Sequence, residues 1–213
     1  MQQLHEAWIA LQFGGAMVYP LLLLAIIALI LTIDKVFVYW RYARVPQQLY
    51  DLVETFGFAW TELEQQLKAV RVGNYYGRFI RVIFDNRGKP AWWVESRAAD
   101  EAQVIEKMFG RGLWVLETIV TAAPLLGLLG TIVGMMNSFK LISGDNLVDP
   151  AGVTGGVAQA LIATALGLLI ALIALFAFNF FSKLQAGTID ELERIGTRLI
   201  DHIRLDEQQG GNP

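Results

Sequence analysis

Three apolar runs, at about residues 16–40, 113–142 and 153–182, each reach the roughly 20 residues needed to cross the hydrocarbon core of a bilayer. Nothing else in the chain restricts its fold as strongly. Backbone polar groups inside hydrocarbon must be satisfied internally, which leaves helices or a closed barrel. Uninterrupted runs of this length specify helices, and no strand-like alternation occurs. The 17% of charged residues falls below the about one quarter of a soluble domain, and the apolar residues are clustered. The expected fold class is therefore an all-α membrane protein with three transmembrane helices.

The same composition removes several kinds of chemistry. There is no cysteine, so disulfides, thiol nucleophiles and cysteine metal sites are excluded. The two histidines, His5 and His202, lie far apart and outside the spans. No zinc spacing, nucleophile elbow or phosphate loop is present, and no cofactor is expected. The net charge of −3 comes without a basic stripe interleaved with aromatics, which argues against a nucleic-acid partner. The first residues lack the basic segment of a signal peptide, so the first span is expected to be retained.

Basic residues set the expected orientation, because Lys and Arg accumulate in cytoplasmic segments. Residues 1–15 contain none, residues 41–112 contain eleven, the connection 140–150 contains one, and the tail from Lys183 contains four. The N-terminus is therefore expected outside and the C-terminus inside. Residues 1–15, with Leu4, Ala7, Trp8 and Leu11 on one face, are expected to form an outer-face amphipathic helix. Residues 41–112 are expected to form a cytoplasmic helical loop, and 143–152 a short periplasmic one. Residues 183–213 should form a cytoplasmic helical tail with a disordered end. Within the loop, helical spacing from Leu49 to Val70 predicts one helix ending at Gly73-Asn74, followed by a second piece over 79–84. From Ala91 a polar helical sequence is expected to continue unbroken into the second span. The third span is expected to continue inward, because Leu184, Ile189, Leu192, Ile195, Leu199 and Ile203 keep helical spacing. Two extended helices would thus form a cytoplasmic helical domain.

The spans carry few ionisable groups. Asp34 and Lys35 adjoin near the inner end of the first, where both side chains are expected to reach water as an interfacial anchor. Glu117 sits near the inner end of the second. Steps of four and three residues from it give Thr121, Pro124, Leu128, Thr131, Met135 and Ser138, a single helix face polar at both ends. A hydroxyl such as that of Thr131 can also serve only its own helix backbone. Helix association in lipid favours small residues that let backbones approach closely. Gly127, Gly130 and Gly134 form such a surface on the second span. Gly156, Ala160, Thr164 and Gly167 form one on the third. Gln159 lies about 140° around the helix from Thr164 and needs a partner or a wet cavity. Deep in the spans there is no Asp, Glu, Lys, Arg or His. Any proton pathway through this chain must take its titrating group from another subunit.

These segments resemble a known family. Gly14-Gly-Ala-Met-Val-Tyr-Pro20, leading into a span that ends Ile33-Asp34-Lys35, is similar to the start of ExbB proteins. APLLGLLGTIVGMMNSF at 123–139 and GVAQALIATALGLLIALIALFAFN at 156–179 resemble the second and third spans of the MotA/TolQ/ExbB proton-channel superfamily. Three spans and the Gly-Gly…Tyr-Pro lead resemble the ExbB branch most. The resemblance implies a non-enzymatic motor subunit of the bacterial inner membrane. It implies a homo-oligomeric ring, of five copies in the family, around single-span ExbD/TolR-type partners that supply a membrane Asp. Coupling to a TonB-like protein would follow. Thr131 and Thr164 correspond to the family's channel threonines, with Gln159, Glu117, Thr121 and Ser138 as further candidates for the pathway. Two departures stand out. Gln159 replaces a common Glu, and Ala171-Leu172-Ile173 lacks a common Pro. TolQ-like and gliding-type motors, and a membrane scaffold or transporter subunit, are the other readings.

Overall fold

The computed structural model describes residues 15–45, 47–55, 57–71, 73–142 and 150–210. The amphipathic helix expected at 1–15 lies outside the described residues except for Gly15, and the outer connection expected at 143–152 lies largely outside them. Seven helices are described: α1 (Val18–Tyr42), α2 (Gln47–Glu54), α3 (Trp60–Ala69), α4 (Tyr75–Asp85), α5 (Ala91–Gly110), α6 (Leu113–Ile142) and α7 (Pro150–Gly210). No strand occurs among the described residues. Helices α1, α6 and α7 each contain a stretch long and apolar enough to cross a membrane. The chain divides into two compact units. One comprises the residues up to Ile33 with Gly112–Phe180, the other Asp34–Arg111 with Phe181–Pro213.

The first unit contains most of the apolar helix surface. Leu23, Ile26 and Leu29 of α1, Leu125, Leu128 and Ile132 of α6, and Leu161, Leu168 and Phe176 of α7 are all exposed. Such surface suits a lipid environment, where exposed leucine costs nothing. The unit's buried residues are of two kinds: Leu21, Leu116 and Ile119 are large and fully covered, and Ala123, Ala160 and Ala163 are small and almost completely covered.

The second unit follows the ordinary logic of a water-soluble core. Leu49 and Val53 of α2, Leu63 and Leu67 of α3, Phe79, Ile80 and Ile83 of α4, Val94, Ile105 and Phe109 of α5, and Leu192, Ile195 and Leu199 of α7 form one buried cluster. Their helical spacing places one apolar stripe of each amphipathic helix inward. Asn74 caps α4, its side-chain oxygen accepting from the Gly77 N–H at 3.1 Å.

Helix α7 has 61 residues, roughly 90 Å of helix, about three times what the hydrocarbon core requires. Its continuation past the apolar stretch agrees with the spacing of Leu184 to Ile203. Two expectations of continuity are corrected. The helix expected from Ala91 into the second span is broken at Arg111–Gly112, where Gly112 has φ of +88°. Gly112 adopts this left-handed conformation without the clash a Cβ would bring. The single helix expected from Leu49 to Val70 is two, α2 and α3, with Gly57 in the break. The apolar positions on either side stay in phase, so spacing alone did not reveal the interruption.

Glycines in α7 differ sharply in what surrounds them, which makes a test. A Cβ on Gly167 would lie 2.5 Å from the Ala123 carbonyl oxygen, whereas one on Gly187 meets nothing within 4 Å. Gly167→Ala is expected to lower stability by about 1–3 kcal/mol. Gly187→Ala should raise it by roughly 0.5–1 kcal/mol through helix propensity. Thermal unfolding of both variants checks this, and equal effects would contradict the seam described next.

Candidate functional site: the α6–α7 seam

Helices α6 and α7 meet along their small residues in antiparallel register. A Cβ on Gly127 would lie 3.0 Å from the Ala163 carbonyl oxygen and 3.1 Å from Thr164 Cα. One on Gly134 would lie 3.0 Å from both Ala160 Cβ and the Gly156 carbonyl oxygen. Gly130 faces Ala163, Gly156 faces Ser138, and Gly167 faces Ala123 and Gly127. Every small residue singled out in the sequence as a packing position, Gly127, Gly130, Gly134, Gly156, Ala160 and Gly167, thus sits at this contact. Two that the sequence reading passed over, Ala123 and Ala163, sit at its centre with no exposed surface. Their three- and four-residue steps from Gly127, Gly167 and Ala160 were the available signal. Met17, ahead of α1, closes the third side, its Cβ 3.4 Å from the Gly130 position.

The hydroxyls are set by this approach. Thr164 on α7 donates to the Gly127 carbonyl of α6 at 3.2 Å. Thr131 on α6 donates to the Leu128 carbonyl at 2.6 Å. Both are half-buried, and they bond to consecutive carbonyls on one turn of α6. Gly127 makes this possible, because a side chain there would push Thr164 away. A donating hydroxyl keeps lone pairs that can accept from a water or a protonated acid. It cannot hold a proton itself near neutral pH.

The rest of the polar face is distributed along α6. Glu117 and Thr121 are exposed, with Thr121 donating to the Thr118 carbonyl at 2.9 Å. Pro124 lies inside the helix, half-buried, and removes the N–H that would bond the Val120 carbonyl. Ser138 is buried and donates to the Gly134 carbonyl at 3.1 Å, with the Val153 carbonyl at 3.4 Å. The face therefore starts on an open surface at Glu117 and ends inside the seam at Ser138.

Gln159 does not join the threonines. Its side-chain amide occupies the position a Cβ on Gly15 would take, and Gly15 has φ of +68°. Gly15 is thus fixed twice, by its backbone conformation and by the amide over it.

Asp34 and Lys35 part company. Asp34 is exposed, but Lys35 is 2% exposed and does not reach water as the sequence suggested. Its Nζ donates to the Phe109 carbonyl at 2.9 Å. That carbonyl is at the C-terminal end of α5, where the helix leaves acceptors unpaired and its dipole favours a cation.

A model of the MotA/TolQ/ExbB proton channel family matches residues 71–194, which include α6 and the apolar part of α7. The ExbB-like 1 protein of Synechocystis sp. is 32% identical over 198 residues, covering 87% of this chain and 74% of that protein. The ExbB-like 3 protein of the same organism is 30% identical over 183 residues, covering 80% and 82%. The biopolymer transport protein ExbB of Xanthomonas campestris is 39% identical over 90 residues, which is 42% of this chain and 36% of that protein.

The pairing of Gly15 with Gln159 is testable by a double-mutant cycle. Gly15→Ala should destabilise the protein, and the Gln159→Ala background should relieve about 0.5–1.5 kcal/mol of that loss. A residue of roughly 1 kcal/mol should persist from the left-handed backbone. Full additivity in thermal unfolding would show that the amide does not occupy this place.

Proposed function

The chain belongs to the MotA/TolQ/ExbB proton channel family, and from this we propose that it is the ExbB-like stator subunit of a proton-driven motor. The family is one of proton channels and not of enzymes. The observation that carries the proposal is the pair of threonine hydroxyls on consecutive carbonyls of α6, in spans without a deep ionisable group. Such a pathway can relay a proton but not store one. The missing acid would come from a single-span ExbD/TolR-type partner whose membrane Asp sits beside Thr131 and Thr164. Several copies of this chain, five by analogy with the family, would surround that partner. Glu117, Thr121 and Ser138 would extend the wet path along α6, and Gln159 would stay neutral where ExbB and TolQ proteins commonly ionise.

The distribution of Lys and Arg supports placement in the bacterial inner membrane with the N-terminus periplasmic and the C-terminus cytoplasmic. Residues 41–112 and 183–213 would then form the cytoplasmic helical domain. Motion driven by proton flow would pass to a TonB-like protein and energise outer-membrane transport. A second reading within the family is a TolQ-like or gliding-type motor serving another envelope process; Gln159 and the Pro-free Ala171-Leu172-Ile173 depart from the ExbB and TolQ patterns alike. The absence of duplicated halves and of a midplane charge in the sequence speaks against a transporter.

Purification from native membranes followed by mass spectrometry tests the proposal. A stoichiometric single-span protein with an Asp in its membrane helix is expected, and recovery of this chain alone would contradict the motor reading. In the assembled complex, Thr131→Val and Thr164→Val should each reduce motor output by up to about tenfold, the effect of losing one neutral hydrogen bond, while assembly persists. Undiminished output in both would remove the hydroxyls from the pathway.

A further inference from the structure

Just past the end of α1 the second unit holds a cavity of about 270 Å³ lined by Arg44, Val45, Gln48, Leu49, Gln66, Ala69, Val70, Arg71 and Asn74. Its lining residues include two arginines and three residues with carboxamide side chains, and no acidic residue lines it. Neither Arg44 nor Arg71 forms an ion pair among the described residues. Two arginines without an ion pair beside the Gln48 and Gln66 carboxamides have the chemistry that suits a phosphate-like anion, because the guanidinium fork matches its oxygens.

The wall of the cavity is built. The Asn74 side-chain amide donates to the Arg44 carbonyl at 2.8 Å while its oxygen caps α4, tying the chain after α1 to the start of α4. The Arg44 guanidinium lies 4.5 Å from the Trp40 ring centroid. Trp40 is 63% exposed on the last turns of a membrane-crossing helix. Tryptophan in that position lies at headgroup level. Stacking on it would put Arg44 at the depth of lipid phosphates, with Leu49, Val45 and Val70 as an apolar floor for the first acyl carbons. Basic pockets flanking membrane helices on the cytoplasmic side suit anionic headgroups.

We propose that the Arg44–Arg71 pocket binds the phosphodiester of an anionic membrane phospholipid. A bound lipid would lock the chain after α1 against α4, at the point where the apolar helix gives way to the soluble-type core.

The test uses the full chain with any partner that accompanies it, in mild detergent, with native mass spectrometry reading bound phosphatidylglycerol. Wild type is expected to retain phosphatidylglycerol in preference to phosphatidylcholine. The Arg44→Ala/Arg71→Ala double variant should bind it about thirtyfold more weakly, corresponding to roughly 2 kcal/mol for two basic residues. Lys89→Ala/Lys107→Ala, which removes equal charge elsewhere, should bind as wild type. If the double alanine variant does not fold, Gln48→Glu puts a carboxylate into the cavity and should weaken binding in the same direction. Equal retention of the two lipids, or an equal loss in the lysine control, overturns the proposal. So does binding of inorganic phosphate that fully competes with phosphatidylglycerol, which would make this a free-anion site. The assay reads lipid occupancy and not proton transfer, so its failure leaves the proton-channel reading standing.

Discussion

The close approach of α6 and α7 is what the other features of the membrane unit depend on. Lipid gives no hydrophobic reward for pairing two apolar helices, so attraction must come from backbone contact and the dispersion it permits. Gly127, Gly134, Gly156 and Gly167 allow that contact, and Ala123, Ala160 and Ala163 fill it. Only at this spacing can a hydroxyl on α7 reach a carbonyl on α6. The Thr164 hydrogen bond is therefore a product of the seam and not an independent device. It is also directional, so it fixes the register that the featureless small residues would leave free to slide.

A division of labour follows. The chain places neutral acceptors on one turn of α6 and keeps ionisable groups at the margins. Lys35 shows how strictly this is kept: it is buried, yet its charge is spent on the Phe109 carbonyl at the end of α5. Glu117 stays exposed at the start of the polar face. Burying a carboxylate permanently in the seam would cost several kcal/mol or force it neutral. A separate subunit that brought the acid, as proposed, would leave this chain free of that cost.

Much of this was legible in the sequence because it depends on local pattern. Three apolar runs specify three long helices, and the spacing of Leu184 to Ile203 carries the last of them past the membrane stretch. The glycine positions of the seam were also readable, since a residue without a side chain is what lets two helix backbones approach so closely. What was not legible depends on partners distant in sequence. Lys35 looks like any residue at the end of a span, and its acceptor is 74 positions away. Ala163 passes for one more apolar residue until Gly130 is placed against it. The breaks at Gly57 and Gly112 were hidden for another reason. A single glycine is tolerated inside many helices, and in both places helical spacing resumes almost in phase.

As proposed, this chain provides a proton path but no proton-binding group deep in its spans. Proton uptake into potassium-loaded liposomes, followed with an internal pH dye after valinomycin addition, tests it most directly. Vesicles holding this chain alone are predicted to take up protons no faster than empty ones, and vesicles holding it with its single-span partner to take them up rapidly. Uptake through the chain alone at the rate of the full complex would contradict the account, because the titrating group would then have to lie within these 213 residues.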